Sequence, residues 1–142
     1  IIFEPGRSII GNTGVLISKV QYIKSGQNKN FIILDAGMND FMRPALYDAK
    51  HDIIPINKNN FRSTDIIEFV GPICESTCKF IKYKNFQKIF ENDFVAITNT
   101  GAYGSSLSSN YNTKPLIAEI LVSNNKFKII KKKQDLMKLI NS

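Results

Sequence analysis

The sequence predicts a mainly-β domain of the sandwich or barrel kind. Short apolar segments recur along the chain, separated by turn residues, with little helical periodicity between them. The connections are short, and there are no internal repeats and no long linker. The chain is 142 residues with 43% hydrophobic and 22% charged residues. That is enough for one real core, because a chain of about 150 residues buries roughly two-thirds of its unfolded surface. The composition speaks against disorder and against a disulfide scaffold.

The elements follow in order. Ile1-Ile2-Phe3 reads as the end of a buried strand that breaks at Glu4-Pro5-Gly6-Arg7. Ser8 would cap a short helix to about Thr13, and Gly14 ends it. Val15 to Ile23 reads as a strand, then a polar turn around Gly26, then a strand from Phe31 to Leu34. Pro44 would sit in the first turn of a short helix, Pro44 to Lys50. Asp52 to Ile56 carries Pro55 and reads as an edge strand. Ile66 to Val70, Phe80 to Tyr83 and Phe94 to Thr98 read as further strands. Pro115 to Val122 and Phe127 to Lys131 make a hairpin through Ser123-Asn124-Asn125. Gln134 to Ile140 reads as a short amphipathic helix with Leu136, Leu139 and Ile140 on one face.

The net charge of +7 is local: residues 126–142 carry +5 and residues 1–125 only +2. The run Lys131-Lys132-Lys133 has no interleaved aromatic or arginine, so it reads as a solvated edge rather than a nucleic-acid site. No apolar run approaches the roughly 20 residues that span a membrane. No signal-peptide pattern opens the chain, and two cysteines fit a reducing cytoplasm. The start on Ile1, on an apolar run that leads straight into a motif, is expected of a piece of a longer protein.

Sixteen lysines stand against three arginines, Arg7, Arg43 and Arg62. Arginine offers a planar fork that lysine cannot replace. Arg7 follows a Gly at a strand end, where backbone amides can cradle a phosphate. Arg43 and Tyr47 are four apart and share a helical face, a pairing that suits a carboxylate. Cys74-Glu75-Ser76 follows a Gly-Pro turn, and a loop thiol beside a carboxylate can donate a proton or act as nucleophile. Gly101-Ala102-Tyr103-Gly104 flanks a phenol with small residues, which suits a ligand close to the backbone. Cys78 and the single histidine, His51, read as structural. Two cysteines and one histidine do not supply an ordinary zinc site, so no metal is expected.

Taken in order, EPGR at 4–7, GNTGVL at 11–16, DAGMNDFMRPALYDA at 35–49, GPICES at 71–76, GAYGSSLSSNYN at 101–112 and KPLIAEILV at 114–122 are specific. Across essentially the whole chain they resemble the C-terminal part of the diaminopimelate decarboxylase family, among the pyridoxal-phosphate decarboxylases with an alanine-racemase-like barrel. The resemblance implies two domains. Residues 1–13 would be the remnant of an N-terminal α/β barrel, its last strand and following helix, and 14–142 the C-terminal β domain. It implies a pyridoxal 5'-phosphate cofactor whose lysine lies in the absent barrel, a homodimer with shared sites, and conversion of meso-diaminopimelate to lysine and carbon dioxide.

By the same resemblance, Glu4, Pro5, Gly6 and Arg7 would meet the cofactor phosphate. Arg7, Arg43 and Tyr47 would hold the substrate's distal carboxylate, and Glu75 its distal ammonium. Tyr103 would touch both cofactor phosphate and substrate. Cys74 would be the proton donor, entering with Glu75 from the neighbouring subunit. The sequence departs from the family pattern at Thr77-Cys78, Asn99-Thr100 and Ser105. Related decarboxylases acting on ornithine, arginine or carboxynorspermidine are the alternative activities. A non-catalytic stand-alone β domain is the alternative role, and a nucleic-acid binder rests on the charge alone.

Overall fold

The computed structural model describes residues 1–141. Its helices are α1 (Arg7–Ile10), α2 (Arg43–Tyr47) and α3 (Leu136–Ile140). Its strands are β1 (Leu16–Lys24), β2 (Asn30–Leu34), β3 (Ile53–Pro55), β4 (Ile67–Val70), β5 (Lys79–Tyr83), β6 (Phe94–Ile97), β7 (Glu119–Ser123) and β8 (Lys126–Lys131). Six strands form one sheet in the order β3-β6-β1-β2-β4-β5, and β7 and β8 form a separate hairpin. Neighbours are antiparallel except β2 and β4, which run parallel. The mainly-β expectation holds, and β3 with its Pro55 lies at an edge as expected.

The core follows the alternation of the strands. Val20 of β1, Ile32 and Leu34 of β2, Ile67 and Phe69 of β4, and Val95 and Ile97 of β6 are buried together with Phe41 and Ile53. Phe69 meets Phe86 edge-on at 5.3 Å between centroids and Tyr83 at 6.1 Å. The Tyr83 hydroxyl accepts a hydrogen bond from the Ile53 amide at 2.8 Å, which ties β3 to β5 from across the core. Glu68 is buried and is held by Lys29 and by Lys82.

Several expectations shift. Ile1 to Pro5 forms no strand: it pairs with no strand among the described residues and is exposed. Helix α1 starts at Arg7 and is capped by Gly6 without a side-chain bond, so Ser8 is not its cap. A 3₁₀ turn, Gly11–Thr13, follows it. Helix α2 stops at Tyr47 because Asp48 takes the left-handed conformation (φ 50°), three residues short of Lys50. The final helix is capped by Asp135, whose side chain accepts from the Met137 amide at 2.9 Å. Its apolar residues Leu136, Met137 and Ile140 stay exposed.

The hairpin turn Asn124-Asn125 has φ of 48° and 60°, the left-handed pair a two-residue hairpin needs. Ile120, Leu121, Val122, Phe127, Ile129 and Ile130 are all exposed, so neither face of the hairpin is covered. Between it and the main sheet lies a cleft of about 740 Å³. Ser105 bridges its rim, donating to Glu119 and accepting from Lys131 at 3.1 Å.

Candidate active site

Three loops set the site. The first turns at Asp35 to Phe41. Asp35 leaves β2 and accepts from the Ser18 hydroxyl at 2.6 Å and the Lys19 amide at 2.9 Å. Asp40 is buried and accepts from the Gly37 amide at 2.9 Å, while the Gly37 carbonyl accepts from the Asp40 and Phe41 amides. Burial holds the Asp40 carboxyl above its ordinary value, against the pull of the Gly37 amide and of Lys114. This closed turn delivers Arg43 to the start of α2.

The second loop is Gly101 to Gly104, pressed against the turn after α1. A Cβ on Gly101 would stand 2.1 Å from the Ile10 carbonyl oxygen, and one on Gly14 only 2.5 Å from the Gly101 Cα. Gly101 also donates to the Gly11 carbonyl at 3.0 Å, and Thr100 to Gly14 at 2.9 Å. Only glycine permits this backbone-to-backbone contact. Tyr103 follows with φ 59°, a left-handed conformation uncommon for a bulky residue and a form of strain found at functional sites.

The third loop, Gly71 to Cys78, lies against the first. The buried Cys78 accepts from the Met38 amide at 3.4 Å, and the Thr77 hydroxyl contacts the Met38 sulfur. Cys78 is structural, as expected. Cys74 and Glu75 are exposed at the loop's tip.

The first two of these loops meet at Arg43. Its guanidinium lies 5.6 Å from the Tyr47 ring centroid and 5.7 Å from that of Tyr103. Its Nε–H points at Nε2 of the buried His51, 3.3 Å away. Arg7 lies near enough for its charge to act on the same imidazole. Burial lowers the His51 pKa below its ordinary value, and Arg43 and Arg7 lower it further; the Thr98 carbonyl and Asp52 oppose them. Among the described residues, the ion pairs join Lys29 and Lys82 to Glu68 and Lys131 to Glu119, and none involves Arg7 or Arg43.

The structure therefore brings Arg43, Tyr47 and Tyr103 together, with the charge of Arg7 acting on the same His51. No hydrogen bond or ring contact among the described residues joins Cys74 or Glu75 to them. Glu75 instead accepts from the Tyr111 hydroxyl at 2.5 Å, which raises the phenol's pKa. Glu4, Pro5 and Gly6 are exposed, and a Cβ on Gly6 would meet nothing within 4 Å. His51 and Tyr111 are the residues that sequence reasoning did not place in a site. No spacing signal pointed to His51; for Tyr111 the signal was its place in the string that begins at Gly101.

A family model described as the C-terminal sheet domain of pyridoxal-dependent decarboxylases matches residues 9–101. The chain belongs to that family. The sheet domain is 46% identical over 136 residues to a diaminopimelate decarboxylase of Helicobacter pylori, covering 96% of the chain and 34% of the relative. It is 44% identical to one from Aquifex aeolicus, of which it covers 32%. The chain thus spans about a third of the length of the curated relatives it matches. Among solved structures it superposes on the Helicobacter pylori diaminopimelate decarboxylase complexed with L-lysine with a TM-score of 0.87 at 43% identity, over 97% of this chain and 34% of that one. The crystal structure of diaminopimelate decarboxylase from m. jannaschi gives a TM-score of 0.89 at 35% identity, over 97% of this chain and 31% of that one.

Whether the domain suits pyridoxal phosphate is a question of its donor set. Arg7 and Arg43 have no carboxylate partner among the described residues, and Tyr103 is exposed beside them. A pair of uncompensated guanidiniums beside a phenol fits an anionic group, whether a cofactor phosphate or a substrate carboxylate.

Proposed function

We propose that this chain is the part of a pyridoxal-phosphate-dependent diaminopimelate decarboxylase that reads the substrate. The carrying observation is Arg43, held between Tyr47 and Tyr103 with Arg7 nearby and without a carboxylate of its own. A substrate with a distal carboxylate would complete that arrangement. An ornithine-like substrate would leave the guanidiniums unpaired, which disfavours it.

The pyridoxal ring, when bound, supplies the electron sink that makes loss of carbon dioxide possible. In this proposal Glu4 to Arg7 and Tyr103 face its phosphate. Arg7, Arg43 and Tyr47 clasp the substrate's distal carboxylate, and Glu75 accepts from its distal ammonium. Cys74, free and exposed, delivers a proton to the substrate carbon that has lost its carboxyl group. In this reading it serves the neighbouring subunit's site of a homodimer. The uncovered hairpin supports burial of this surface against a barrel or a second copy. The enzyme would act in the cytoplasm.

The test is the full-length gene product that carries this sequence, supplied with pyridoxal phosphate and meso-diaminopimelate. Lysine and carbon dioxide should appear in equal amounts. No lysine, with turnover of ornithine or arginine instead, would replace this activity with a sister one.

A further inference from the structure

We propose that His51 is a positioning residue that aims the Arg43 guanidinium at its carboxylate. The proposal rests on the carboxylate-clamp reading of Arg43. His51 Nδ1 lies 3.0 Å from the Thr98 carbonyl oxygen. A carbonyl only accepts, so Nδ1 carries the proton. In a neutral ring Nε2 then keeps its lone pair, and a guanidinium only donates, so the 3.3 Å contact is Arg43 Nε–H donating to Nε2. Both bonds form together in one state alone: the neutral, Nδ1-protonated imidazole.

The ring is fixed in place. Phe41 packs against it edge-on, with centroids 4.6 Å apart at 82°. Thr98 follows β6 directly, so the imidazole is anchored to the central sheet. Arg43 is thereby tied at Nε, and the rings of Tyr47 and Tyr103 lie against the guanidinium. Among the described residues nothing hydrogen-bonds the Nη edge, which is left as a fork, the geometry that binds a carboxylate through two parallel hydrogen bonds. A flexible arginine would lose side-chain freedom on binding; one already oriented loses less.

The charged groups facing the ring are Arg43 on α2, Arg7 on α1 and its neighbour Asp52. Protonating the imidazole would turn Nε2 into a donor and set a third cation against two guanidiniums. The clamp should therefore loosen as the ring becomes charged.

Two measurements test this. In the full-length gene product labelled at its histidines, the ring signals that vanish in His51→Gln identify this imidazole in a long-range ¹H–¹⁵N spectrum. It should show protonated Nδ1 and unprotonated Nε2 at pH 7. A proton on Nε2, or a doubly protonated ring, overturns the proposal. In the full-length gene product, His51→Phe keeps a flat ring but removes the acceptor. KM for meso-diaminopimelate should rise about tenfold with kcat changed less than about threefold, the pattern of a lost binding interaction. His51→Gln, whose amide oxygen can accept from Nε–H, should recover most of that loss. An unchanged KM in His51→Phe overturns the proposal. Should the unaltered enzyme not act on meso-diaminopimelate, the assigned reaction fails, and the imidazole spectrum alone decides the His51–Arg43 bond.

Discussion

Arg43 and Tyr103 meet 5.7 Å apart, guanidinium carbon to ring centroid, although sixty residues separate them in sequence. The contact joins a helix start to a loop residue held at φ 59°. A cation over an aromatic face is attracted to it, yet that face does not neutralise the charge. The pair is thus built to be completed by an anion. Arg43→Ala should raise KM for meso-diaminopimelate by about tenfold or more, with a smaller effect on kcat. Arg43→Lys should not restore it, since an ammonium lacks the planar fork. Steady-state kinetics on the full-length gene product checks both.

Cys74 does a different job in this account and should fail differently. Its thiol is exposed and free. Cys74→Ala should lower kcat by about a hundredfold or more, the usual scale for losing a positioned proton donor. Thermal stability should stay within a degree or two of the parent, because no fold contact of the thiol is lost. A normal kcat would remove Cys74 from the chemistry.

Gly101 and Gly6 make a contrasting pair for stability. A methyl on Gly101 collides with the Ile10 carbonyl, whereas one on Gly6 meets open space. Gly101→Ala should cost about 1–3 kcal/mol or more in urea unfolding, as backbone must move to admit it. Gly6→Ala should change stability by less than about 1 kcal/mol. Tyr83→Phe tests a third kind of loss. It strands the Ile53 amide at the β3 edge, which should cost about 1–3 kcal/mol.

Acid should weaken the fold through His51. Its folded pKa lies below its unfolded value of 6.5, chiefly through burial. The unfolded chain then takes up the proton first, so stability is full above that value and is lost as pH falls through the folded one. The unfolding free energy of the parent should decline as pH drops below about 6.5, and His51→Gln should remove that part of the decline. An identical slope in both proteins would show that His51 ionises alike in the folded and unfolded chains.

The strands were legible as short apolar runs bounded by turn residues, and β3 was legible as an edge because proline cannot donate to a ladder. Helix ends were less so. Asp48 stops α2 by adopting a left-handed conformation, a choice set by the fold around it and not by its identity. The roles of the family departures were also hidden. Cys78 accepts from Met38, and Ser105 links Glu119 and Lys131, contacts between residues distant in sequence. His51 was read as structural since a lone histidine carries no spacing signal. Its link to Arg43 depends on the Phe41 and Thr98 contacts that only the folded chain provides.

The central claim is that Arg43 selects a substrate with a distal carboxylate. The direct measurement is kcat/KM for meso-diaminopimelate and for ornithine, in the full-length gene product and in its Arg43→Ala variant. The parent should prefer meso-diaminopimelate by about a hundredfold or more, and the variant should lose most of that preference. A parent that turns over ornithine as well, or a variant that keeps the full preference, would contradict it.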